Sequence, residues 1–207
     1  MGEVWKKHSY DIVKMFVNQI AIAVFGFGLA IATGVAGNKT LQIVSSVGAI
    51  IFYLFLIYAL CWEIGAKDGV SIKCGKMKRN IFKGLYMSLF ANIPNAILAI
   101  LCLLGTVAPS VFGGVGGVSA TIALVGEGMY TGVLSLHVAG NPLNSYAWAY
   151  FVIMLPALIT SFVAYLLGSY DIHLTNILIV KNPELARSKQ IEKAQEKERK
   201  RAEKNSK

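Results

Sequence analysis

The chain has 207 residues, 55% of them apolar and only 15% charged, with a mean hydropathy of +0.57. That composition excludes an ordinary soluble domain and a disordered chain, and it points to an all-α protein that crosses a membrane several times. The net charge of +9 does not mark a nucleic-acid binder, because 19 of the 20 Lys and Arg alternate with apolar runs along the chain and only Lys39 falls elsewhere.

Four uncharged runs, 15–36, 41–62, 84–104 and 146–170, meet the length of about 20 residues that a bilayer requires. Basic residues precede the first run, separate the second from the third, and follow the fourth. The positive-inside rule therefore places both termini and the 66–83 loop in the cytoplasm of a cell-membrane protein. The expected organisation is one four-span bundle over 1–180 and a basic, charged cytoplasmic tail over 181–207. Polar and small residues recur at alternating spacings of three and four, which predicts left-handed-type crossings.

Ahead of the first run, Trp5, Tyr10 and Lys14 have the mixed aromatic and basic character of an interfacial anchor. The run itself is long for the apolar core of a signal peptide, which favours a retained span. Asn18 and Gln19 lie just inside it, and Gly26, Ala30 and Gly34 form a small-residue series suited to close packing. Phe52 of the second run is its expected filler. A short turn at 37–40 makes the first two spans antiparallel neighbours. The second run leads through Glu63 into the basic 66–83 loop, expected to touch anionic lipid headgroups.

The third run is centred on Asn92-Ile93-Pro94-Asn95. Pro94 leaves the carbonyl of Phe90 without its helical donor, which predicts a bend of more than about 20°. Ser88, Asn92, Asn95, Ala99 and Cys102 form one stripe that should face other helices, with Leu89, Ile93, Ile97 and Ile100 facing lipid. The segment 105–145 carries nine of the 20 glycines and one charge, Glu127. An even number of crossings is needed there to keep the tail inside. The segment is therefore expected to be a re-entrant hairpin or a Gly-rich outer loop capping the bundle, and the loop is favoured because glycine breaks helices.

The fourth run holds Pro156 near its middle and a stripe of Ala157, Ser161, Ala164, Gly168 and Asp171. Its bend is expected to face that of Pro94. A Gly-x-x-Asp pair recurs at the ends of the second and fourth runs, Gly65 to Asp68 and Gly168 to Asp171, as a faint repeat.

His8, His137 and His173 are scattered, and Cys61, Cys74 and Cys102 form no pair with metal-ligand spacing. No catalytic motif, cofactor loop or metal set is present, which argues against an enzyme. The candidate polar pocket instead comprises Asn18, Gln19, Glu63, Ser88, Asn92, Asn95, Ser161 and Asp171, opening to the cytoplasm. The asparagines can equally act as interhelical glue, and the acids can pair with surface lysines. Two functions fit this pattern. One is a small, non-catalytic transport or permeation protein. The other is a non-catalytic subunit or scaffold of a larger membrane complex, docking through its basic loop and tail; a homo-oligomer, expected above all of the transport protein, or a membrane-protein partner is the expected assembly.

Overall fold

A computed structural model describes residues 2–172, so the tail expected over 181–207 lies outside the described residues. The chain is mostly helical. Four helices, or five if one bent pair is counted as a span, are long and apolar enough to cross a membrane.

Helix α1 (Gly2–Val35) departs from helical geometry once, at His8 (φ −124°, ψ 22°), and its apolar part is His8–Val35. Gly37, at φ 67°, turns the chain. Asn38 then caps α2 (Lys39–Lys73) by accepting the Leu41 N–H at 3.0 Å. Both helices outrun the uncharged stretches that nucleate them. In α2 the extra turns carry Glu63 and Lys67, which pair at 2.7 Å on its surface.

The third uncharged run is not one straight span. It is divided into α3 (Lys83–Ala91) and α4 (Ile93–Val107), bent by 58° at Asn92. Pro94, in the first turn of α4, supplies the cause: its ring has no N–H to continue the ladder. The expected stripe of Ser88, Asn92, Asn95, Ala99 and Cys102 is buried, and Leu89, Ile93, Ile97 and Ile100 are exposed. Pro94 itself is also exposed, so it lies on the outside of the bend.

The Gly-rich segment is not an irregular loop. After a single non-helical residue, Ala108 (φ −127°, ψ 66°), it forms α5 (Pro109–Gly126), an 18-residue apolar helix packed on α4. Glycine makes the contact: a Cβ on Gly105 would lie 2.5 Å from the Gly116 Cα. In an apolar medium the backbone keeps its internal hydrogen bonds, and glycine's weak helix propensity yields to that requirement.

A 3-10 turn (Gly128–Tyr130) and α6 (Thr131–Leu134) follow, then a two-residue hairpin of β1 (His137–Val138) and β2 (Asn141–Pro142). A second 3-10 turn, Leu143–Ser145, leads into α7 (Ala147–Val152) and α8 (Leu155–Ser169). The break between the last two falls where Pro156, in the first turn of α8, deprives the Val152 carbonyl of its donor. Together they make a 23-residue apolar segment.

Helices α2 and α8 run parallel in close contact, Gly65 against Tyr165 and Gly69 against Ser169. Gly26 of α1 packs on the backbone of Met129, where a Cβ would approach the Cα to 2.5 Å. Phe52, the expected filler of that groove, is half exposed, and Gly34 meets nothing.

Candidate functional site

A buried carboxyl comes from the segment that ends α5. Glu127 ends that helix (φ −112°, ψ 30°), and its carbonyl accepts the Tyr130 N–H at 2.8 Å to close the 3-10 turn. Side chains three apart in such a turn lie nearly over one another, which stacks Tyr130 with Glu127. Gly128 abuts Ala23 and Phe27 of α1, and Gly132 abuts Gln42 and Ser46 at the start of α2. Ala23 lies about 20 Å of helix from the 36–38 turn. The chain therefore descends through α5 to the middle of α1 and climbs back toward the turn. The Gly132 N–H, donating to Ser46 Oγ at 2.7 Å, fastens the returning arm.

Glu127 is 4% exposed. Its Oε1 accepts the Gln19 Nε2–H at 2.9 Å, and Gln19 is 2% exposed. Tyr53 of α2 and Tyr130 are buried close enough to feel its charge. The Tyr130 hydroxyl has no hydrogen-bond partner. Among the described residues Glu127 forms no ion pair, unlike Asp68, the other buried carboxylate. An ionisable group within the bundle thus arises from the segment expected outside it, and the lone acid between Gly126 and Gly128 was the available signal.

A second polar cluster lies at the other end of α2. Asp68 Oδ2 accepts from Lys83 Nζ and, at 2.9 Å, from Tyr165 Oη, joining α2, α3 and α8. The two charged side chains are 8% and 6% exposed. Beside this cluster the Arg79 guanidinium stacks 3.9 Å over the Tyr170 ring.

The third cluster sits at the bend. Asn92 Nδ2 donates to the Ser88 carbonyl at 2.9 Å, and Asn95 Nδ2 donates to Asn92 Oδ1 at 3.1 Å. These bonds bridge the broken helix to itself rather than crossing to a neighbour.

The other sequence candidates are dispersed. Asn18 is half-buried. Glu63 is exposed with Lys67, and Asp171, at φ 62°, is exposed 3.8 Å from Lys73. Ser161 is fully buried and donates to the Ala157 carbonyl at 2.8 Å. A half-open cleft of about 210 Å³ lies elsewhere, between α4, α5 and the start of α7, lined by Thr106, Gly113, Gly116, Ala120, Asn144 and Tyr150 among others. Among the described residues no group of three His, Cys, Asp or Glu is placed to hold a metal.

The long apolar helices, lipid-type outer surface and buried polar clusters have the character of a helical integral membrane protein. No known protein family, characterised protein or solved structure matches the chain.

Proposed function

We propose that the protein is a small, non-catalytic transport or permeation protein of the cell membrane, with both termini and the 66–83 loop in the cytoplasm. The observation that carries this reading is Glu127, a carboxylate with a neutral amide partner, buried where a membrane helix breaks and the chain turns back. Ionisable groups inside a membrane bundle are costly, and they recur on ion and proton paths. Broken helices that end within the bilayer are a common way of building such sites. The 19-to-1 partition of basic residues supports the sidedness. Exposed Lys73, Lys76 and Lys78 suit contact with anionic headgroups.

The same exposed lysines favour the second reading, a subunit or scaffold that docks through its basic loop. Flux through vesicles containing the purified protein separates the two. Transport predicts ion flux above that of empty vesicles, abolished by Glu127→Gln with the fold retained. Flux no greater than that of empty vesicles supports the scaffold.

A further inference from the structure

We infer that Glu127, held by Gln19, forms a proton-carrying site, that its substrate is H⁺, and that the cleft beside α5 lies on its route to water. The inference deepens the transport reading and rests on it for the purpose of the site, though not for its chemistry.

The groups facing Glu127 decide which ion it takes. Gln19 comes from α1, Tyr53 from α2 and Tyr130 from the 3-10 turn, and none carries a cationic charge. A metal ion needs several oxygen ligands. Here Gln19 turns its amide nitrogen, not its oxygen, to the carboxylate, and among the described residues no further acid is gathered around it. A dry carboxylate without a cation is relieved most simply by a proton.

The hydrogen-bond inventory leaves room for that proton. Gln19 occupies Oε1 as a donor, which leaves Oε2 to carry the hydrogen. The Tyr130 hydroxyl is buried and has no hydrogen-bond partner, the carboxyl included, so it does not compete for Oε2. Uptake forms one O–H bond on Glu127 at the expense of hydronium, and release returns the proton to water. No electron is transferred.

Access follows the inner face of α5. Gly116 and Ala120 line the cleft, Ala123 is buried one turn further on, and Glu127 follows another turn below. From Ala120 to Glu127 the helix advances about 10 Å. The side chains along this face stay small, and about two turns of helix separate the cleft from the acid.

The test is modification of the purified full-length chain, in lipid vesicles, by dicyclohexylcarbodiimide, which attacks protonated carboxyls in apolar surroundings. Peptide mass spectrometry should find the adduct on Glu127. Its rate should fall about tenfold per pH unit once the acid has titrated, and sodium or potassium should leave it unchanged. Gln19→Leu, which removes the donor to the carboxylate, should move the midpoint of this pH profile upward. Absence of the adduct, a pH-independent adduct, or protection by an alkali cation would overturn the proton site. An unmoved midpoint in Gln19→Leu would overturn the role of the amide. A pH-dependent adduct in a protein that passes no ions would leave the site standing and remove the transport reading.

Discussion

Gly65 of α2 and Gly168 of α8 pack reciprocally, each against the backbone of the other's helix: Gly65 meets Tyr165, and Gly168 meets Trp62 and Ala66. The glycines of the faint Gly-x-x-Asp repeat therefore have a physical use, because each lets the backbone of the other helix approach where a Cβ would stand in its way. The acids that follow the glycines differ. Asp68 is buried in the Lys83 pair, while Asp171 is exposed beside Lys73.

Replacing either glycine with alanine forces the helices apart. Gly65→Ala and Gly168→Ala should each destabilise the protein by about 1 to 3 kcal/mol, the usual cost of overpacking. Gly48→Ala and Gly114→Ala are the controls, since an added methyl meets nothing at either position. They should be neutral or gain about 0.5 to 1 kcal/mol of helix propensity. Thermal unfolding in one detergent reads all four, and equal losses at all four positions would refute the packing account.

The Asp68–Lys83 pair should behave as a buried ion pair. Removing one partner leaves an uncompensated charge, so Asp68→Asn or Lys83→Met should each cost about 3 to 5 kcal/mol. The double variant should recover much of that loss, and Tyr165→Phe should cost about 1 to 2 kcal/mol for its hydrogen bond to a charged group. A double-mutant cycle by thermal unfolding checks this. Strict additivity of the two single losses would show that the charges do not stabilise each other.

Much of the fold was legible because charge and apolar length are one-dimensional signals. The runs 15–36, 41–62 and 146–170 match, to within a residue at their ends, the apolar part of α1, a stretch inside α2, and α7 with α8. The mid-run proline also announced the 58° bend. What escaped was α5, because glycine is a helix breaker in water and the same residues serve close helix contact in an apolar medium, as Gly105 and Gly116 do. Glu127 escaped with it. Once its segment was placed outside, the acid read as solvated, and only its isolation between two glycines marked it. The partners of the polar stripe were illegible for another reason: spacing places Asn92 and Asn95 on one face but does not say whether they bond across helices or along their own.

The asparagines should act on the bend. Asn92→Leu removes the donor to the Ser88 carbonyl and the acceptor for Asn95, so a loss of about 0.5 to 2 kcal/mol is expected. Pro94→Ala restores the N–H that α4 lacks and should open the angle between α3 and α4. Spin labels at the exposed positions Ile81 and Val107 should then move apart in pulsed electron resonance. An unchanged distance would mean that packing, rather than the proline, sets the bend.

The sidedness is testable with single cysteines. Cys61 and Cys102 are buried and Cys74 is exposed, so Cys74→Ser supplies the background for impermeant thiol labelling. Lys39, in the first turn of α2, and Asn141, in the hairpin, lie in connections at the same end, because Gly132 just before that hairpin packs on Gln42 near Lys39. Lys76 follows the opposite end of α2. The basic residues concentrate on the Lys76 side, where they resist translocation. Lys39→Cys and Asn141→Cys should therefore react from outside intact cells, and Lys76→Cys should react only after the membrane is opened. The paired response of Lys39→Cys and Asn141→Cys also tests α5. A descent to Glu127 followed by return through α6 keeps the two positions on one side, whereas a complete crossing by α5 without that return would separate them.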